Sequence, residues 1–277
     1  MPNNRPIVAL LYDFDHTLSC DDMQNFSFIP DLGMTPDEFW NKTSELTEKE
    51  GMERILAYMY MMIKLAKEKN VHLTKAYLNS LGKEIKFFEG VTTWFKRINQ
   101  WGEEMGVDIE HYLISSGTKE IVDGCQIAKE FAAVYGCEFL FDENGEAIWP
   151  KIAINYTAKT QFLFRVSKGA LDTSDDVTIN RRIDKRIPFT NMIYLGDGLT
   201  DIPCMVLVKE KGGKSIAIYQ KGKKEKVMPL YEEGRVNFVC KADYRSGSNL
   251  EKIVKLIIEQ VSITDELLKR ETELINK

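Results

Sequence analysis

Two carboxylates follow the first apolar segment of the chain at a spacing of two residues. Residues 7–12 predict a buried strand, and Asp13 and Asp15 come directly after it. Because alternate side chains of an extended segment point the same way, both carboxylates can converge on one point beyond the strand. Burying clustered carboxylates is costly unless a cation lies there. The pattern therefore predicts a metal ion, with one carboxylate as a ligand or a nucleophile.

A second apolar segment ends in the same way. Residues 192–195 precede Gly196, Asp197 and Gly198, and a further carboxylate follows at Asp201. The glycines allow a tight turn and a close backbone approach to a bound group. Carboxylates at the ends of two strands are suited to Mg2+, which prefers oxygen ligands together with water and substrate phosphate.

These motifs resemble those of the haloacid dehalogenase (HAD) superfamily, and in particular its phosphatase branch. Its first motif, Asp-x-Asp-x-Thr, is matched by residues 13–17, and its fourth, Gly-Asp-Gly-x-x-Asp, by residues 196–201. Its second motif, an apolar strand ending in Ser or Thr, is matched by residues 111–117. Its third is a lone lysine, for which Lys159 is the candidate and Lys168 the alternative. The first and fourth motifs together carry the resemblance, because each follows an apolar strand.

The resemblance implies roles for the carboxylates. Asp13 would be the nucleophile that forms an aspartyl-phosphate, and Asp15 the general acid and base. A carboxylate at Asp15 favours hydrolysis of a phosphate ester, since related dehalogenases lack it and ion-pumping ATPases carry Thr there. The implied cofactor is Mg2+, bound by Asp13, by the backbone carbonyl of Asp15 and by Asp197. Asp201 would be an outer ligand or orient metal-bound water, and its charge also suits a helix start.

The phosphoryl group requires a hydroxyl donor and a cation, because its transfer depends on positioning and charge stabilisation. Ser115 and Lys159 are the predicted pair, and the backbone amides of Ser116 and Gly117 would add anion contacts. Ser116 is the alternative hydroxyl; Ser115 is favoured because it follows the apolar strand directly. Lys159 is favoured because residues 152–156 resemble a strand and a helix follows, although it could instead be a solvated helix charge.

Two further residues are candidates for substrate contact. His16 lies inside the first motif and could contact the substrate or a cap, or shield the site. Asp22 follows nine residues after Asp13, near the place where phosphoserine phosphatases carry a Glu that contacts the substrate amine. A helix-start role for Asp22 is an equal alternative.

Strands and helices alternate along most of the chain, which predicts an α/β fold with a parallel sheet. With the resemblance, this is a Rossmann-like doubly wound sheet of the HAD type with an inserted α-helical cap domain. The HAD-like α/β core would comprise residues 1–18 and 88–277, and the helical cap residues 19–87. In such sheets ligands bind at the carboxyl ends of the strands, where the motifs would meet.

The elements expected in the core follow from apolar periodicity. Residues 172–188 are highly charged and predict a surface excursion that separates Lys159 from the fourth motif. Strands are predicted at residues 7–12, 112–115, 138–141, 193–195, 214–219 and 236–240, and helices at 91–105, 119–127, 159–167 and 249–276.

The composition limits the kinds of partner and the cellular location that are expected. Five scattered cysteines without a Cys-x-x-Cys pair indicate reduced thiols and a cytoplasmic protein, and the polar residues 1–6 lack a signal region. The net charge of −5 argues against nucleic acid, and no apolar run approaches the ~20 residues of a membrane helix. The basic run 221–226 predicts a solvated loop. The predicted partner is therefore a small-molecule phosphorylated substrate; no oligomeric state is predicted.

The predicted function is Mg2+-dependent hydrolysis of a small-molecule phosphomonoester through an aspartyl-phosphate. One alternative is a phosphotransferase or phosphomutase with the same intermediate, which differs in whether water or a sugar hydroxyl receives the phosphoryl group. Another is a non-catalytic binding module on the same fold.

Overall fold

A seven-stranded sheet lies at the centre of the computed structural model, which describes residues 5–181 and 184–275. Its order is β4-β3-β2-β1-β5-β6-β7, and all neighbours are parallel except the β3–β4 hairpin. The order reverses at β1, which is the switch point where such sheets bind ligands. The predicted doubly wound α/β fold is confirmed. The strands are β1 (Ile7–Tyr12), β2 (Asp108–Thr118), β3 (Ala133–Phe141), β4 (Ala147–Ile152), β5 (Met192–Gly196), β6 (Lys214–Tyr219) and β7 (Phe238–Lys241).

Twelve α-helices are present in the described residues, and most of the longer ones cover the sheet or form the segment after β1. They are α1 (Met23–Phe26), α2 (Phe28–Asp31), α3 (Pro36–Glu50), α4 (Arg54–Glu68), α5 (Lys75–Leu81), α6 (Val91–Glu104), α7 (Lys119–Asp123), α8 (Tyr156–Lys168), α9 (Asp176–Arg181), α10 (Ile202–Glu210), α11 (Met228–Glu232) and α12 (Asn249–Ile275). Within the part of the chain that the structure describes, none of them is both long and apolar enough to cross a membrane.

The two strands that carry the carboxylate motifs are adjacent and buried. Nearly all of β1 and all of β5 are inaccessible to solvent, as expected for central strands covered on both faces. Tyr12 pairs with Leu195, and the amide of Asp13 donates to the Leu195 carbonyl at 2.9 Å. This extra hydrogen bond continues the ladder past β1, so that the loops after β1 and β5 begin side by side.

A helical segment, α1–α5, leaves the core after β1 and returns before α6. Its two connections pair with each other, since the Cys20 amide donates to Lys86 at 2.9 Å and the Phe88 amide to Leu18 at 3.0 Å. A capping box of Thr35 and Glu38 fixes the start of α3. The division into core and cap domains stays a prediction, and the paired connections lie at its predicted boundaries.

Several predicted bounds are wrong, among them that of the strand predicted at 138–141, which begins at Ala133. Strand β2 begins before residue 112, because Asp108 pairs with Ile7 of β1, and it ends after residue 115, because after a bulge its pairing with β3 resumes at Thr118. Helix α7 ends at Asp123 rather than at residue 127, and the next residue, Gly124, lies so close to α5 that a Cβ there would be 1.7 Å from the Asn79 carbonyl oxygen. No strand spans 152–156, because the Asn155 side chain accepts from the Ala158 amide at 2.9 Å and caps α8.

Within the charged stretch 172–188 the structure has the short helix α9. Arg182 and Ile183 of that stretch lie outside the described residues.

Candidate active site

The two carboxylates of the first motif lie directly beyond β1. Asp13 is 5% exposed. Asp15 accepts a hydrogen bond at 2.8 Å from the amide of Met23, the first residue of α1. Gly117 packs against Asp15 and Met23, because a Cβ there would lie 3.0 Å from Asp15 Oδ2 and 2.1 Å from Met23 Cε. The start of the helical segment and the end of β2 thus fix Asp15 together.

Lys159 lies in the first turn of α8 and has no exposed side-chain surface. Its Nζ donates to Asp13 Oδ1 and to Asp201 Oδ1, each at 2.7 Å. The alternative lysine, Lys168, lies at the other end of α8 and donates to the carbonyl of Ile179 at 2.7 Å. The structure therefore brings Lys159, and not Lys168, to the nucleophile candidate.

Asp201 is bonded at both carboxylate oxygens. Besides Lys159, Oδ1 accepts from the Tyr194 hydroxyl at 2.8 Å, and Oδ2 accepts from the amides of Asp197 and Gly198 at 3.2 and 3.3 Å. A Cβ at residue 196 would lie 2.5 Å from Asp201 Cγ, so only glycine admits this close approach. The carboxylate of Asp201 thus shapes the turn that presents Asp197.

The charges of this cluster fit a divalent cation. Oxygen atoms of Asp13, Asp197 and Asp201 all lie within 4.8 Å of one another. Burial and then the charge of neighbouring carboxylates raise the pKa of Asp13 to about 6 and that of Asp197 to about 8. Burial alone would lower the pKa of Lys159, but Asp13 and Asp201 outweigh it and hold the pKa above its usual value. When all three carboxylates are ionised, they exceed the one ammonium by two negative charges, which a divalent cation would offset, and oxygen-only ligands suit Mg2+.

The charges around Asp15 differ from those around Asp13, whose pKa is influenced by Lys159. Burial, followed by the charges of Asp22 and Asp13, raises the pKa of Asp15 well above the usual value for a carboxyl group. A carboxyl group of raised pKa can hold a proton near neutral pH and donate it.

The second motif contributes two buried hydroxyl groups. Ser115 is fully buried, and its Oγ accepts from the Gly117 amide at 2.9 Å. Ser116 Oγ is also buried but bonds to none of the described residues, while the Ser116 carbonyl accepts from the Tyr58 hydroxyl at 2.8 Å. Tyr58 lies on α4, so the helical segment contacts the second motif directly.

The two candidates for substrate contact come together at the edge of the site. His16 Nε2 lies 3.5 Å from Asp22 Oδ1, and both side chains are partly exposed. The backbone of His16 has a φ of 58°, in the left-handed region that residues with a Cβ rarely adopt. Its Nδ1 lies 2.9 Å from Nε2 of Gln220, in the loop after β6.

Sequence reasoning missed Tyr194, Thr200 and Gln220. Tyr194 belongs to an apolar strand and gives no sign that its hydroxyl reaches Asp201. Thr200 lies inside the fourth motif, with its Oγ1 3.4 Å from Lys159 Nζ. Gln220 is 204 residues away from His16 along the chain, so only the fold brings them together.

Comparisons with known proteins agree with this architecture. No protein-family model matches the chain. An uncharacterized protein of Borreliella burgdorferi is 26% identical over 95% of this chain and 100% of its own length.

Two solved structures define the fold class. A HAD family hydrolase from Salmonella enterica serovar Typhi superposes with a TM-score of 0.60 and 17% identity, over 92% of this chain and 73% of that one. A phosphoserine phosphatase, solved as a phospho-aspartyl intermediate analogue, gives a TM-score of 0.57 and 17% identity, over 91% and 99%. The chain has the fold of HAD hydrolases of the phosphoserine phosphatase type, and the resemblance predicted from the motifs is confirmed at the level of the fold.

Proposed function

We propose that this chain is a Mg2+-dependent phosphohydrolase that cleaves a small-molecule phosphomonoester through an aspartyl-phosphate. The observation that carries the proposal is the setting of Asp13, a buried carboxylate at the carboxyl end of β1 that accepts a hydrogen bond from Lys159 at 2.7 Å. With Asp15 two residues further on, a nucleophile and an acid lie at one strand end.

In the first step a carboxylate oxygen of Asp13 attacks phosphorus, and the bond from phosphorus to the ester oxygen breaks. Asp15 donates its proton to that oxygen, which leaves as an alcohol. The raised pKa of Asp15 favours the protonated form that this step needs. Lys159 and Ser115 would bind the phosphoryl oxygens, with the amides of the following turn.

In the second step the ionised Asp15 takes a proton from water as the water oxygen attacks phosphorus. The bond from phosphorus to Asp13 breaks, inorganic phosphate leaves, and Asp15 is again protonated. Splitting the displacement into two steps lowers the barrier of each. The sum is an ester and water giving an alcohol and phosphate.

Asp13, the backbone carbonyl of Asp15 and Asp197 would hold Mg2+, which when bound supplies positive charge to the phosphoryl oxygens. Both oxygens of Asp201 already accept from protein donors. We therefore assign Asp201 to positioning Lys159 and the Asp197 turn, as an outer rather than a direct ligand.

A non-catalytic binding module has less support, because it does not require a buried nucleophile, acid and lysine at one strand end. A phosphotransferase would use the same groups and differs in the acceptor of the phosphoryl group. The first test is a hydrolysis screen over phosphorylated metabolites with and without Mg2+, run in 18O-labelled water. Hydrolysis puts 18O into the released phosphate, and transfer to an added sugar hydroxyl does not. A folded protein that turns over no ester would contradict the proposed hydrolase.

Asp15→Asn is expected to lower kcat by about 10²–10⁴-fold, because it removes both proton transfers. With p-nitrophenyl phosphate, whose leaving group needs little protonation, the first step continues and the second is slow. The aspartyl-phosphate should then accumulate as a burst of one nitrophenolate per enzyme in stopped flow. Turnover at the wild-type rate without a burst would rule out the assigned role.

Asp197→Asn is expected to raise the Mg2+ concentration for half-maximal activity at least about tenfold, since it removes a charged ligand. Calorimetric titration with Mg2+ gives the same comparison without catalysis. The matched control is Asp37→Asn, which makes the same change at an exposed carboxylate of α3. Equal Mg2+ affinity in the two variants would argue against ligation by Asp197.

A further inference from the structure

A small cavity lies beside the candidate active site, between the first motif and the loop after β6. Its volume is about 110 Å3, and it extends from Asp197 and His16 to Gln220, Lys223 and Lys226. It has room for a carboxylate or phosphate group with bound water. Because Asp197 is in its wall, a molecule bound at Asp13 can extend into this cavity.

Hydrogen bonds fix the wall of the cavity. Gln220 Nε2 donates to the Cys20 carbonyl at 3.1 Å, and Gln220 Oε1 accepts from Lys223 Nζ at 2.7 Å. These two bonds orient the amide, so that Nε2 also donates to His16 Nδ1 at 2.9 Å. Through Gln220, the side chain of Lys223 is linked to His16 in the first motif and to Cys20, which precedes the helical segment.

The charge of this wall is unusual for an acidic chain. Residues 221–226 hold four lysines and one glutamate, whereas the whole chain has a net charge of −5. Two of the four lysines, Lys223 and Lys226, line the cavity, and Lys221 and Lys224 do not. Among the described residues, Asp197 is the acidic side chain that lines it, and the proposed function assigns that charge to the cation.

We propose that this cavity binds a second anionic group of the substrate through Lys223 and Lys226. The substrate class then narrows to phosphomonoesters whose leaving part carries a carboxylate or a second phosphate. The inference rests on the proposed function, because the first phosphate must lie at Asp13. Residues 221–226 are all exposed, as the predicted solvated loop requires, and two of their lysines also line the cavity.

The test uses stable inhibitors, so that the natural substrate need not be known. The probes are phosphonocarboxylates of increasing chain length, each paired with the alkylphosphonate of equal length that lacks the carboxylate. Inhibition constants are measured against p-nitrophenyl phosphate in Mg2+. At least one phosphonocarboxylate is expected to bind about tenfold more tightly than its partner, and the advantage should shrink as salt is raised.

The Lys223→Gln/Lys226→Gln variant is expected to lose this advantage and to keep its affinity for alkylphosphonates within about twofold. The Lys221→Gln/Lys224→Gln variant, which makes the same change in charge in the same loop, should retain the advantage. No carboxylate advantage at any length, or equal losses in the two variants, would overturn the inference.

Failure of the proposed function would look different. The wild type would then hydrolyse no p-nitrophenyl phosphate, and the same paired probes would be titrated by calorimetry. A carboxylate advantage that depends on Lys223 and Lys226 would still support the second anion site, and its absence would overturn it.

Discussion

Asp13→Asn should abolish phosphate release, with kcat lowered by about 10⁴-fold or more. The loss is large because the amide can neither attack phosphorus nor form the aspartyl-phosphate, and removing a nucleophile has effects of this order in other enzymes. The fold should survive, since Lys159 keeps its second partner, Asp201, at 2.7 Å.

The measurement is initial-rate release of phosphate from p-nitrophenyl phosphate, together with acid quenching to trap a phosphorylated protein. The wild type should give an acid-stable, hydroxylamine-sensitive acyl phosphate, and the variant none. Asp37→Asn, the exposed control, should match the wild type in both assays. A variant that retained more than about one tenth of the activity would exclude Asp13 as the nucleophile.

The ends of β1 and β5 could be predicted from sequence because their signal is local. An apolar run, two carboxylates at a spacing of two, and a carboxylate between glycines each define a strand and the turn beyond it. The amide of Asp13 bonds to the Leu195 carbonyl at 2.9 Å, which places the two turns side by side as the motifs imply. The parallel order of the sheet follows from the alternation of strands and helices.

The remainder of the site depends on contacts that no local pattern encodes. Lys159 could be chosen over Lys168 only by the elements expected around it, and the strand before it, β4, ends at Ile152 rather than spanning 152–156. Its reach to Asp13 depends on the Asn155 cap, which sets where α8 begins. Asn155 followed by helix formers could have predicted the start of α8. No local sequence pattern predicts the hydrogen bond from Gln220 to His16.

Lys159→Met should strongly destabilise the protein. It leaves Asp13 and Asp201 buried without their cation, and breaking a buried ion pair from one side costs about 3–5 kcal/mol. Urea unfolding in EDTA measures this loss. The matched control is Lys168→Met, the same change on the same helix, where the lysine is partly exposed and donates to one backbone carbonyl. That control should lose no more than about 1 kcal/mol.

The effect on kcat distinguishes a lysine that binds the phosphoryl group from one that only stabilises the fold. If Lys159 binds the phosphoryl group, saturating Mg2+ should recover part of the stability of Lys159→Met, because the cation offsets the buried carboxylates, but not its kcat. The expected kcat is about 10²–10³-fold below the wild type, since a preorganised charge at the transferring group is missing. Lys168→Met should keep the wild-type kcat. A Lys159→Met protein that is folded in Mg2+ and turns over normally would limit Lys159 to neutralising Asp13 and Asp201.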